Sequence, residues 1–200
     1  FRFIDQKIIT QGLPLLFAQC IGAGFIIVSG ISFKLASLAN NFRKKFLKRI
    51  GVLLLICFLI TLITVLLDNT NYIFFGILHL MVACSFIGLL LLRIKHNYLL
   101  FIIFLFSLIP SIGKIKYDLP SYLSWLGINR EVPITNDFYP LFPWVSFYLF
   151  GLWVYKPLRG YIAEKNKSSH INYYKFSYIH KGLQFMGRNS LTIYILHQPI

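Results

Sequence analysis

The sequence predicts an all-α integral membrane protein, a bundle of about six transmembrane helices forming a single domain over residues 1–200. Of its 200 residues, 57% are hydrophobic and only 13% are charged, and the mean hydropathy is +0.68. A soluble domain carries about 25% charged residues. Uncharged runs such as 51–67 reach the length of about 17–25 residues that crosses a bilayer. This composition excludes a large soluble surface, and with it a nucleic-acid binder, despite the net charge of +14.

The apolar runs define the spans, which are 13–33, 50–67, 73–92, 98–115, 140–155 and 183–200 in chain order. The connections 68–72 and 93–97 are short, so spans two, three and four are predicted to be antiparallel neighbours. The chain begins without Met and stops at Ile200 inside an apolar run. We therefore expect it to be a piece of a longer polypeptide with at least one further helix before Phe1.

Lysine and arginine are distributed unevenly among the connections. Loops 41–49, 93–97 and 156–182 carry thirteen of them, whereas 68–72 and 114–139 carry three. Cytoplasmic loops are rich in Lys and Arg, so the first three loops are predicted to be cytoplasmic and 116–139 to lie outside. The same rule explains the basic segment "NFRKKFLKR", although its charges also suit phosphate groups.

Ionisable side chains inside membrane spans are costly and therefore mark candidate sites. His79 and His197 lie on different spans, and helix-length counting places both about 9 Å below the outer face. Asp137 stands at the start of a third span. We predict that these three residues form a catalytic group in which the carboxylate orients a histidine that takes up a proton. The alternative is that each histidine merely hydrogen-bonds a neighbouring helix.

Two helix faces accompany these residues. The helical spacing of Ser190, Tyr194 and His197 predicts a polar stripe on span six. The spacing of Gly76, His79 and Ala83 predicts a shared face of span three, where small residues allow close helix approach.

The start of span five also has a purely structural explanation. Asp137 can cap the helix that follows it, and Pro140 and Pro143 suit its first turn. The three cysteines, Cys20, Cys57 and Cys84, lie on separate spans without metal-type spacing. They are predicted to be packing residues, and no metal site is expected.

Four segments carry a family resemblance: "FIIVSGISFKLAS", "FGILHLMVA", "DFYPLFPWVSFYLFGLWVYK" and "FMGRNSLTIYILHQPI". Together they resemble the bacterial branch of the heparan-α-glucosaminide N-acetyltransferase catalytic-domain family, which are multipass membrane acyltransferases. The resemblance implies transfer of an acetyl group from cytoplasmic acetyl-CoA to an amino or hydroxyl group of a glycan on the other side. It also implies that the chain lies in the bacterial inner (cytoplasmic) membrane.

The resemblance also suggests site residues. Five residues match the family's motif positions: His79, Asp137, Arg188, Asn189 and His197. The catalytic candidates are His79, Asp137 and His197. The expected substrate-binding residues are Arg188 and Asn189, together with Ser190 and Tyr194 of the polar stripe. In related animal enzymes an acetyl-accepting histidine lies ahead of the segment matching 11–33, but "FRFIDQKIITQG" contains none. Either that histidine lies on a helix before Phe1, or transfer is direct.

Two other classes of function fit the sequence. A transporter or flippase also uses intramembrane polar groups and proline-interrupted helices, and Pro14 and Pro110 lie within spans. A non-catalytic scaffold would use its histidines only for packing. The expected partners are the lipid bilayer, acyl-CoA and a glycan acceptor, with no nucleic acid; self-association is compatible with the sequence.

Overall fold

The computed structural model describes residues 13–67, 72–113, 120–129, 135 and 137–168. The helices in these ranges are α1 (Leu13–Ser37), α2 (Phe42–Leu67), α3 (Ile77–Leu91), α4 (His96–Gly113), a 3-10 helix (Ser121–Leu126) and α5 (Leu141–Ser168). The described chain is all-α apart from one isolated β-bridge between Phe75 and Phe138, which confirms the predicted class. The sixth predicted span, 183–200, lies outside the described residues.

The chain divides into two compact units, residues 1–158 and 159–200. The first contains α1 to α4, the 3-10 helix and α5 up to Leu158. The described part of the second is the helical stretch 159–168.

Among the residues that the structure describes, two helices are long and apolar enough to cross a membrane, Gln19–Ser37 and Phe42–Leu67. Ile77–Leu91 and His96–Pro110 are apolar but shorter. The 26 residues of α2 extend over about 39 Å at the rise of an α-helix, more than the hydrocarbon thickness of about 30 Å. The count of six spans stays a prediction.

The basic segment 41–49 differs from the predicted loop, because it is helical from Phe42 onwards. Only a short turn separates α1 from α2, and in it Asn41 adopts the left-handed conformation (φ 64) that asparagine tolerates. Phe42 and Phe46 pack edge-on against Phe33 of α1, with centroids 5.7 and 5.9 Å apart. Hydropathy did not reveal this part of α2, because its charged residues lower the hydropathy although Lys and Arg are good helix formers outside lipid.

α5 also continues past the predicted end of span five, through 156–168 of the predicted connector. Near its start Phe142 has a non-helical backbone (φ −99, ψ 132), because a proline disfavours the helical conformation of the residue before it. Pro143 therefore opens the regular part of α5, where no hydrogen bond is lost, as predicted. Pro140 precedes the helix, so the prediction that it lies in the first turn is wrong.

α1 and α5 meet through their backbones. A Cβ at Gly30 would overlap the carbonyl oxygen of Tyr148, and a Cβ at Gly151 would overlap that of Ile27. The ring of Tyr148, which is fully buried, also lies against Gly88 of α3. Small residues permit such close approach of membrane helices, so these glycines join α1, α3 and α5 into one core.

The cysteines are free thiols. Cys57 and Cys84 are buried, as expected of packing residues, whereas Cys20 is exposed. The prediction is wrong for Cys20 because hydropathy does not show which face of a helix meets its neighbours.

Candidate active site

The third span begins with irregular backbone. We predicted a helix from residue 73, but residues 72–76, here called the entrance segment, are non-helical and α3 starts at Ile77. Hydropathy could not show this, because "IFF" at 73–75 is as apolar as the helix after it. The depth of His79 was counted from a helix start at residue 73, so that estimate loses its basis.

Side chains of α2 satisfy the backbone of the entrance segment on one side. The Ile73 N–H donates to Thr64 Oγ1 at 3.1 Å, and Thr61 Oγ1 donates to the Ile73 carbonyl at 3.1 Å. Non-helical backbone is tolerated at membrane depth only where protein groups or water satisfy it. The two threonines supply both partners that Ile73 needs.

The segment before α5 holds the entrance segment on the other side. The Tyr139 N–H donates to the Phe75 carbonyl at 3.0 Å, beside the β-bridge between Phe75 and Phe138. Residues from two distant parts of the sequence therefore meet around 72–76.

His79, the third residue of α3, is half-buried at this meeting point. Its Nε2 lies 3.2 Å from Thr61 Oγ1. Its ring lies against that of Phe75, with centroids 5.8 Å apart. His79 thus contacts α2 and the entrance segment.

Asp137 contacts the start of α3. Its Oδ2 accepts the N–H of Ile77 at 3.2 Å, and a carboxylate in this position stabilises a helix N-terminus. We predicted that Asp137 caps the helix following it. That prediction is wrong, because residues 137–140 are not helical and the carboxylate is directed to α3 instead.

Gly76 leaves the space that the Asp137 carboxylate occupies. It is the N-cap residue of α3, with extended backbone, and a Cβ there would overlap the carboxylate. Gly76 therefore precedes the helix, and the prediction that it shares a helical face with His79 and Ala83 is wrong. Its small size serves a contact with a side chain of the segment before α5.

Aromatic rings surround this polar group. The rings of Phe75 and Trp125 lie 5.6 Å apart, and those of Tyr139 and Trp144 lie 5.0 Å apart. Partial burial raises the pKa of the Tyr139 phenol, and the negative charge of Asp137 adds to the effect. The rings make this end of the described bundle partly apolar around its ionisable groups.

The structure brings two of the predicted catalytic residues to the same end of α3, since Asp137 bonds the residue two positions before His79. The other predicted site residues lie outside the described residues: His197, Arg188, Asn189, Ser190 and Tyr194. Their approach to His79 stays a prediction.

Sequence reasoning missed Thr61 and Thr64. A signal existed, because they are hydroxyl residues three positions apart in the otherwise apolar run "ITLITVLL" and so share one helix face. Within the part of the chain that the structure describes, no group of three His, Cys, Asp or Glu side chains is placed to hold a metal ion.

The described residues form an all-α bundle with membrane-length helices. At one end of it a threonine contacts a histidine near the start of a helix, and a carboxylate caps the same helix. These features define a class of membrane proteins with an ionisable site beside broken helix backbone. The chain belongs to the family described as "Heparan-alpha-glucosaminide N-acetyltransferase, catalytic", whose model matches residues 1–199. No curated protein and no solved structure matches it. The match identifies the chain as an acetyltransferase-family protein, and with its apolar helices as an integral membrane protein.

Proposed function

We propose that the protein transfers an acetyl group from cytoplasmic acetyl-CoA to an amino or hydroxyl group of a glycan on the other side of the membrane. The proposal includes the bacterial branch of the family, the inner membrane and a six-span topology. The observation that carries it is the group at the start of α3, where His79 meets Thr61 and Asp137 bonds Ile77. In a family of acetyltransferases, an ionisable group held by broken helix backbone is the best candidate for the reaction centre.

Acetyl transfer needs a group that accepts and returns a proton. The acceptor's oxygen or nitrogen attacks the acetyl carbon, and its proton passes to a histidine. The bond between the acetyl carbon and the CoA sulfur breaks, and the sulfur leaves as a thiol after taking a proton from the histidine. We assign this role to His79 and His197, with the Asp137 charge stabilising the protonated histidine.

The donor is proposed to approach from the opposite end of α2. The basic residues there are all exposed on the first turns of that helix: Arg43, Lys44, Lys45, Lys48 and Arg49. From Arg49 to Thr61 the helix rises about 18 Å, so the donor would have to extend along it. Setting the orientation of the helix in the membrane is the simpler role of these charges. Arg188, Asn189, Ser190 and Tyr194 are proposed to bind the substrates.

The proposal is tested with the full-length protein in sealed vesicles whose cytoplasmic face is outward. Acetyl-labelled acetyl-CoA is added outside, and a glucosamine-terminated oligosaccharide is enclosed. We expect label on the enclosed oligosaccharide. Export of the oligosaccharide without label would support a transporter instead. The absence of both labelling and export would support a scaffold.

His79→Gln separates catalysis from packing. The glutamine amide can still donate a hydrogen bond towards Thr61, but it accepts no proton at neutral pH. We expect transfer to fall by about 10²–10⁴-fold while the thermal unfolding temperature stays near that of the wild type. Full transfer by this variant would leave His79 as a helix contact only. His197→Gln is the parallel test on the last span.

A further inference from the structure

We propose that Thr61 is a positioning residue that fixes which nitrogen of His79 carries the proton. In this arrangement Nε2 is protonated, and Nδ1 is the atom that takes the proton of the acetyl acceptor. The role of Nδ1 rests on the proposed function, whereas the protonation pattern of His79 does not.

The hydroxyl of Thr61 has one proton, and two polar atoms of the described residues lie within hydrogen-bond distance of it. The Ile73 carbonyl oxygen lies 3.1 Å from Thr61 Oγ1, and His79 Nε2 lies 3.2 Å from it. A carbonyl oxygen can only accept a hydrogen bond, whereas a neutral imidazole nitrogen either donates or accepts, according to the tautomer.

The two tautomers of His79 differ in the number of hydrogen bonds that can form around Thr61. When Thr61 donates to Ile73, Nε2–H donates to the Thr61 oxygen and both bonds form. When Thr61 donates to Nε2 instead, the Ile73 carbonyl loses its hydroxyl partner. Ile73 is 6% exposed, and one hydrogen bond lost at such a site corresponds to a population ratio of roughly tenfold.

A neutral hydroxyl acts differently from a carboxylate in this position. A carboxylate would both orient the imidazole and raise its basicity, whereas Thr61 orients it and selects the tautomer. The Phe75 ring, 5.8 Å from that of His79 between centroids, also restricts the orientation of the imidazole.

Thr64 provides the matched control. It lies on the same face of α2 and also holds Ile73, because its hydroxyl accepts the Ile73 N–H at 3.1 Å. Its own proton is directed to carbonyl oxygens of its own helix, those of Ile60 at 2.8 Å and Thr61 at 3.1 Å. Removing the Thr64 hydroxyl therefore perturbs the entrance segment without removing a partner of His79.

The experiment is nitrogen-15 NMR of the full-length chain in lipid vesicles with labelled histidine. At about pH 8 neutral imidazole predominates, since the ordinary pKa of histidine is about 6.5. The sequence has five histidines, so the His79 signals are assigned by their loss in His79→Gln. The variants compared are Thr61→Val, Thr61→Ser and Thr64→Val.

We expect His79 of the wild type to be Nε2-protonated by roughly ten to one. Thr61→Val should shift the Nε2–H signal and lower that ratio several-fold, whereas Thr61→Ser and Thr64→Val should keep both. An Nδ1-protonated His79 in the wild type would overturn the proposal, as would equal spectral changes in Thr61→Val and Thr64→Val. The protonation pattern of His79 is measured first in the wild type, so a variant that fails to fold does not decide the result.

Transfer kinetics test the consequence. Thr61→Val should lower kcat about tenfold with little change in KM, and Thr61→Ser should restore it. Equal kcat in Thr61→Val and the wild type would overturn the positioning role. Absence of transfer by the wild type would count against the proposed function, and it is distinguishable because the spectra are recorded without substrate.

Discussion

The carboxylate of Asp137 accepts a hydrogen bond from the backbone N–H of Ile77, a residue 60 positions earlier in the chain. The acid that introduces α5 therefore stabilises the start of α3. The same short stretch of backbone positions His79, so the charge of Asp137 and the geometry of the histidine are tied to one helix end.

Asp137→Asn and Asp137→Ala should separate the cap from the charge. Asparagine retains an oxygen that accepts the Ile77 N–H, so its unfolding temperature should stay close to that of the wild type. Alanine removes the acceptor and should lower stability by about 0.5–2 kcal/mol. If the negative charge serves the reaction, both variants lose acetyl transfer. Full transfer by Asp137→Asn would show that the carboxylate acts only as a cap.

Gly76→Ala should destabilise the protein because the new Cβ overlaps the Asp137 carboxylate. Forcing an atom into a filled site costs about 1–3 kcal/mol. Gly24→Ala on α1 is the control, since a Cβ there has open space around it and should be neutral or slightly stabilising. Thermal unfolding in detergent measures both. Equal unfolding temperatures would mean that the carboxylate is not packed against residue 76.

Gly30→Ala and Gly151→Ala should each lower the unfolding temperature, because each Cβ meets a backbone carbonyl of the facing helix. Gly51→Ala, which has no neighbouring atoms within contact distance, should not. Since both positions form one contact, the double variant should lose less stability than the two single losses added together. Strict additivity would indicate that the two glycines act in separate contacts.

The predicted topology is tested by single cysteines placed in a chain whose own three cysteines are replaced. An impermeant thiol reagent added to intact cells should label Tyr122→Cys, whose parent residue is exposed. It should label Ser168→Cys only after the membrane is opened, because the connector 156–182 carries the lysine and arginine excess of a cytoplasmic segment. Labelling of Ser168→Cys in intact cells would reverse the orientation.

Sequence reasoning found the helical class, the short α3–α4 connection and the place of Pro143, because each depends on local composition and backbone preference. It misplaced the ends of α2 and α5, since charged residues that leave the apolar layer still favour helix. Apolar windows mark the length of chain in lipid rather than the length of the helix.

The entrance segment could not be predicted for a different reason. "YIFFG" at 72–76 has the hydropathy of a span. Thr61, Thr64 and Tyr139 supply hydrogen bonds to its irregular backbone, and Asp137 bonds Ile77 directly after it. These partners are distant in sequence, so a pattern along the chain does not reveal them. The sequence did indicate His79 and Asp137, because ionisable groups within an apolar run or at its start are unusual.

The contact between Gly30 and Gly151 has a consequence for movement within the bundle. Where two backbones touch without intervening side chains, sliding drives each carbonyl into the facing helix. We therefore expect α1 and the part of α5 up to Leu158 to move as one rigid pair. The entrance segment is held differently, by a few hydrogen bonds that each contribute only about 0.5–1.5 kcal/mol. Local opening to admit a substrate should therefore occur where α2 meets residues 72–76, beside His79, while the α1–α5 pair stays fixed.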